Sequence, residues 1–175
     1  AHGVSSLFTP DTDTVFRVRQ GQDFDLLGFR STDGDINAGK VMRIALPEKR
    51  FIYECGRGFL GRQAQIEAKQ GGQSLYLFSS FAKKQDAPAV KIPKKITRGT
   101  ILPLDFSKLP KGRVLCLKIT APDGEDMLER ALVVDTARKP QAEIQFAWND
   151  LPGKYQMLLE DVTTGLNSAY SLELE

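Results

Sequence analysis

Hydrophobic and polar residues alternate with a period of two along most of this chain. The clearest run is QAQIEAK (63–69), with Ala64, Ile66 and Ala68 on one side and Gln63, Gln65, Glu67 and Lys69 on the other. AEIQFAW (142–148) repeats the pattern, setting Ile144, Phe146 and Trp148 against Glu143, Gln145 and Ala147. Successive side chains of an extended strand point to opposite faces, so this period predicts half-buried antiparallel strands. Further strands are expected at VFRVR (15–19), FDLLGFR (24–30), VMRIAL (41–46), FIYEC (51–55) and SLYLFSSF (74–81). The series continues with TILPLDF (100–106), RVLCLKIT (113–120), LERALVVD (128–135), YQMLLED (155–161) and AYSLELE (169–175).

Turn-forming clusters separate nearly all of them: RQGQD, TDGDINAG, GRGFLG, KQGGQ, APDGED, NDLPG and TTG. Some twelve short strands broken by such turns predict an all-β chain with little or no helix. LERALVV has room for two helical turns, but its β-branched end favours a strand at least as much. In WNDLPGKYQMLLEDVTTG (148–165), Asn149, Asp150, Pro152 and Gly153 form a tight reversal before Tyr155, Met157 and Leu159 turn inward. Asp161 is then placed to cap the next turn, and Gly165 to supply its left-handed residue.

A chain of 175 residues can hold one large core or two small ones. The stretch KKQDAPAVKIPKKITRG (83–99) carries Pro88, Pro93 and six basic residues but few large apolar groups, as a connection between domains often does. It predicts two small antiparallel β-sandwich domains in tandem, residues 1–90 and 91–175.

Charge narrows the function classes. Basic and acidic residues number 24 and 22, are interspersed, and leave a formal net charge of +2. That balance offers neither a nucleic-acid footprint nor a polybasic membrane anchor. With no run of about 18 apolar residues, a soluble chain without membrane insertion is expected. Cys55 and Cys116 stand 61 residues apart, one in each expected domain, which predicts two buried thiols rather than a bridge or a zinc site.

Catalytic constellations are scarce. His2 is the sole histidine, so a Ser/His/Asp or Cys/His arrangement lacks its base, and a histidine brace lacks its second ligand. Glu54, Asp150 and Asp161 are the carboxylates best located for glycoside hydrolysis, which needs a close pair. Turn roles account better for Asp150 and Asp161, and an ion pair with Arg57 for Glu54. DGDIN (33–37) sets Asp33, Asp35 and Asn37 at alternate positions, like the start of a calcium loop, but the downstream glutamate is missing and a solvated hairpin loop is the stronger reading. GRGFLG precedes no helix and so has no phosphate-binding context. No cofactor is expected.

A flat aromatic side chain suits the C–H face of a pyranose. Tyr53, Phe59, Tyr76, Phe78, Phe81 and Trp148 are the aromatics considered for such a platform. Because Trp148 shares a period-two face with Ile144 and Phe146, it is expected in the core. Phe59, in a glycine-rich turn, is the aromatic expected at a surface or interface. Tyr53, Phe59 and Trp148 are therefore the candidate carbohydrate or interface residues. Lys94, Lys95 and Arg98 form a basic cluster without interleaved aromatics, read as solvated linker.

FIYECGRGFLG (51–61) resembles a recurring pattern in the C-terminal β-domains of bacterial glycoside hydrolase-like proteins. Tyr53 and Glu54 end its strand, and Gly58, Phe59, Leu60 and Gly61 form its turn. IPKKITRGTILPLDF, RVLCLKITAPDGE and WNDLPGKYQMLLEDVTTG are similar to successive strands and turns of the Ig-like module that often follows. The likeness covers most of residues 50–175. It implies Ig-like or Greek-key sandwiches, an extracellular or periplasmic location, and an accessory, non-catalytic role beside the upstream catalytic domain of a larger parent chain. Two alternatives remain: a carbohydrate-binding module for a polysaccharide, for which an exposed Trp148 would speak, and an Ig-like adhesion or protein-interaction domain.

Overall fold

A computed structural model describes residues 14–20, 24–30, 41–69 and 75–175. The chain is all-β, and its strands divide between two compact units, Ala1–Gln85 and Asp86–Glu175. Among the described residues the single helical element is a 3-10 turn at Leu128–Arg130.

The described residues of the first unit form one antiparallel sheet. Its strands are β1 (Thr14–Gln20), β2 (Phe24–Arg30), β3 (Val41–Glu54), β4 (Gly58–Lys69) and β5 (Leu75–Phe81), in the order β1-β2-β5-β3-β4. VMRIAL and FIYEC, expected as separate strands, are two ends of β3. Pairing with β4 is interrupted between Ala45 and Arg50. Pro47 falls inside that irregularity, where no ladder N–H is required of it. A second register shift, between Ile52 and Tyr53, sets Ile52 opposite Gly61 and Tyr53 opposite Phe59, leaving Leu60 as the extra residue.

Ile52 and Tyr53 are adjacent and both fully buried. Ile52 joins Leu27, Ile44, Ile66 and Phe78 in the apolar cluster on one side. Tyr53 stacks edge-on against Phe81, whose ring lies against Phe24. Apolar groups thus cover both faces of β3 at this point, a feature that strict alternation cannot encode.

The second unit is a β-sandwich of two sheets. Its strands are β6 (Lys95–Ile96), β7 (Ile101–Asp105), β8 (Val114–Thr120), β9 (Leu132–Asp135), β10 (Gln141–Gln145), β11 (Gly153–Asp161) and β12 (Leu166–Leu174). One sheet has the order β6-β12-β11-β8-β9, with β6 parallel to β12 and the rest antiparallel; the other pairs β10 with β7. Leu102, Leu104 and Ile144 from the short sheet, with Phe146 just past its end, meet Leu115, Leu117, Tyr155, Met157 and Leu172 from the long one. Burying each such side chain fully contributes roughly 1.5–3 kcal/mol.

Three local devices fix this sandwich. The Tyr155 hydroxyl donates to the Leu151 carbonyl at 2.9 Å, a tyrosine corner that ties the start of β11 to the preceding turn. At the β11–β12 turn, Asp161 accepts the Thr163 N–H on its side chain at 2.9 Å and the Gly165 N–H on its carbonyl at 2.7 Å, with Gly165 at φ +70°. Asp161 also pairs with Arg113, and both side chains are only 5% exposed, so this ion pair is nearly closed off from water.

From Asp86 onward the expected connection is part of this unit. Val90, Ile92 and Ile96 pack against its core, and the Val90 N–H donates to the Tyr170 hydroxyl at 3.0 Å. LERALVVD splits between the 3-10 turn and β9. Cys55 and Cys116 are both thiols, half-buried rather than buried.

Candidate functional site

The site is built where β10 leaves its ladder. Pairing with β7 ends at Gln145 opposite Ile101, and the Phe146 N–H makes one further bond, to the Thr100 carbonyl at 3.0 Å. The chain then turns. Asp150 donates its N–H to the Ala147 carbonyl at 3.3 Å and accepts the Ala147 N–H on its carboxylate at 2.6 Å. Trp148 stands inside this turn, so the alternation that buries Ile144 and Phe146 no longer governs it. The residue is 76% exposed. The expected core position is thereby corrected: the period-two pattern was carried past the end of the strand that produces it.

The exposed indole is nonetheless held. A Cβ placed on Gly99 would lie 2.4 Å from Trp148 Cε2, 2.7 Å from Cζ2 and 2.8 Å from Nε1. Cε2 is a ring-fusion atom, shielded within the plane by its three bonded ring neighbours Cδ2, Cζ2 and Nε1. Being nearest of the three, it shows that Gly99 meets the face of the ring rather than its edge. Gly99 has φ +79°, a conformation that favours glycine independently of the contact. One face of the indole therefore rests on backbone, and the large exposure belongs to the other.

Arg130 braces the turn from below. Its two terminal nitrogens donate to the two Asp150 oxygens at 2.6 and 2.7 Å, a bidentate pair, and its guanidinium lies 5.5 Å from the centre of the Phe146 ring. The hydrogen bond from Arg130 holds the Asp150 carboxyl below the usual carboxylate range; burial opposes the shift and the Ala147 N–H assists it. Arg130 is correspondingly pushed up by the same bond. The Tyr155 hydroxyl is pushed up, first by burial and then by the Asp150 charge. On the far side of Ala147 an open groove of about 490 Å³ runs past Glu129, Arg130, Leu132, Glu143 and Gln145.

Arg98 adjoins the platform. Its Nη1 donates to the Trp148 carbonyl at 3.5 Å. Sequence reading passed over this residue as linker and over Gly99 altogether. The available signal was the order of residues: a glycine beside an arginine before one strand, and a tryptophan directly before NDLPG after another.

The other candidates lie in the first unit. Tyr53 is fully buried, and its hydroxyl accepts the Gln85 N–H at 2.8 Å, so it serves the fold. Phe59 is 43% exposed, rests 5.1 Å from the Tyr53 ring, and carries Lys84 Nζ at 5.5 Å from its own centre. Tyr76, Phe78 and Phe81 are buried. Asp33, Asp35 and Asn37 lie outside the described residues, and among the described residues no cluster of three metal-ligating side chains occurs. Each carboxylate considered for chemistry is matched with an arginine: Glu54 with Arg57 at 2.7 Å, Asp150 with Arg130, and Asp161 with Arg113.

No family model matches the chain, and no curated protein matches it in sequence. Among solved structures, a mutant alpha-2-macroglobulin from Salmonella is similar over 94% of this chain, at 13% identity and a TM-score of 0.39. The present chain spans 12% of that chain's length.

Proposed function

We propose that this chain is a non-catalytic accessory β-module of a larger exported protein that acts on glycans, and that its second unit binds polysaccharide through Trp148. The observation that carries the reading is the fixed, outward indole: 76% exposed, yet seated face-on against Gly99. A flat, rigid apolar face loses little conformational freedom when a sugar ring covers it, so most of the contact energy is retained as affinity. Asn149 and Arg98 beside it supply hydrogen-bond donors for hydroxyl or acid groups. The link to glycan-acting proteins and to export rests on the sequence resemblance in residues 50–175. The matched carboxylates support a binding rather than a hydrolytic role, since a general acid needs a raised pKa and Asp150 has the opposite shift.

Affinity electrophoresis through gels containing xylan, β-glucan, mannan or polygalacturonate tests this reading. At least one polymer should retard the chain, and Trp148→Ala should restore its free mobility. Unretarded migration in every gel would refute glycan binding by Trp148.

A second reading, docking of the module onto a catalytic domain, is favoured by the adjacent exposed side chains of Phe59 and Leu60. In the longer parent chain, Phe59→Ser would then lower the melting temperature of that neighbouring domain. An unchanged melting temperature would refute it.

A further inference from the structure

The geometry points to a carboxylated sugar, a uronic acid residue, as the ligand class of the Trp148 surface, with Arg98 as the group that selects it. This deepens the proposed function and rests on it. Arg98 and Gly99 are consecutive, so the guanidinium is attached next to the residue on which the indole lies. Nη1 is directed back to the Trp148 carbonyl at 3.5 Å, a long contact that uses one of the five guanidinium donors. Among the described residues no carboxylate occupies the others. The Asp150 carboxylate is taken bidentately by Arg130, and the Glu175 side chain is taken by Lys95 at 2.5 Å.

What remains is a half-buried planar cation at the backbone of the residue that carries the exposed aromatic ring. A neutral pyranose uses the face alone. A uronate uses both, because its carboxylate lies in the equatorial rim of the ring and matches the fork of donors that arginine presents. The acidic side chains of the turn already have partners, so they add little local repulsion against such a ligand.

The test compares one polymer in two charge states, polygalacturonate and its fully methyl-esterified form, by titration of the intact chain with Trp148 emission as the readout. Polyglutamate serves as an acidic polymer without sugar rings. Polygalacturonate should bind about tenfold more tightly than the ester, as expected for one charge-assisted hydrogen-bonded contact at a partly exposed site. Arg98→Ala should remove that difference, and Arg98→Lys should restore part of it. Circular dichroism confirms that each variant is folded.

Equal binding of the acid and the ester, unchanged in Arg98→Ala, would overturn the assignment of Arg98 and leave Trp148 as a neutral-sugar surface. Binding of polyglutamate as tight as polygalacturonate would overturn it also, by reducing the effect to charge. Failure of both polygalacturonate and its ester to bind, with a neutral glucan or xylan bound through Trp148, overturns this inference alone; failure of every glycan overturns the proposed function with it.

Discussion

Gly99→Ala is the substitution on which the geometry of the site makes its most specific demand. At φ +79° an L side chain is disfavoured, and the left-handed region costs roughly 1–2 kcal/mol for a residue with a Cβ. The new methyl would also stand 2.4 Å from Trp148 Cε2, whereas ordinary contacts begin at 3.4 Å. The indole must therefore lift by about 1 Å or swing away. Because it is mostly exposed, it can do so without disturbing the core, and the stability loss should stay near the backbone value of roughly 1–2 kcal/mol.

For a domain of roughly 60–100 residues, that corresponds to a fall in melting temperature of about 4–8 °C per kcal/mol. Thermal melts followed by circular dichroism give the stability effect. Tryptophan emission gives the local one, since Trp148 is the sole tryptophan of the chain. In a Trp148→Ala background the same glycine substitution should cost the backbone term alone. Its polysaccharide affinity penalty, present with Trp148, should vanish. A Gly99→Ala variant with wild-type melting temperature, emission and binding would refute the seating of the indole on Gly99.

Three further outcomes follow from the second unit. Arg113→Ala leaves the Asp161 carboxylate buried without its cation, and should destabilise the unit by about 3–5 kcal/mol in a denaturant titration; a loss below about 1 kcal/mol would contradict the burial of the pair. Tyr155→Phe removes the hydroxyl bond to the Leu151 carbonyl and should cost about 1 kcal/mol, read as a lower denaturation midpoint at unchanged slope. Asp150 has a folded pKa below its unfolded value, so its contribution is fully present above the ordinary carboxylate range near 4 and is lost as pH falls through the depressed value. Asp150→Asn should flatten that acid limb of the stability profile, and an identical limb in the variant would show that Asp150 does not produce it.

The strands were legible because their chemistry is local and repetitive. FDLLGFR coincides with β2, and the inward set Tyr155, Met157 and Leu159 was readable from alternation alone. The turn role of Asp161, the left-handed Gly165 and the Glu54–Arg57 pair were likewise readable from residue type and spacing. Merging of VMRIAL and FIYEC into β3 was not, because an irregularity that accommodates Pro47 is set by the partner strand. The same holds for β6, two residues whose strand character comes entirely from pairing with the distant β12.

The site itself was half legible. Trp148 was singled out, but its environment was misread, since alternation describes a strand and Trp148 follows one. What fixes the indole is a contact with Gly99, separated from it by 49 positions and brought near only when β7 and β10 pair. No local pattern contains that contact. Arg98 reads as solvated linker in sequence for the same reason.

The most direct test of the account is acrylamide quenching of Trp148 emission in the intact chain, without and with saturating polysaccharide. An outward indole covered by a bound sugar should be strongly quenched alone and clearly protected in the complex. Equal quenching in both states, with the polysaccharide demonstrably bound, would place the ligand elsewhere and contradict the assignment of Trp148 as the binding surface.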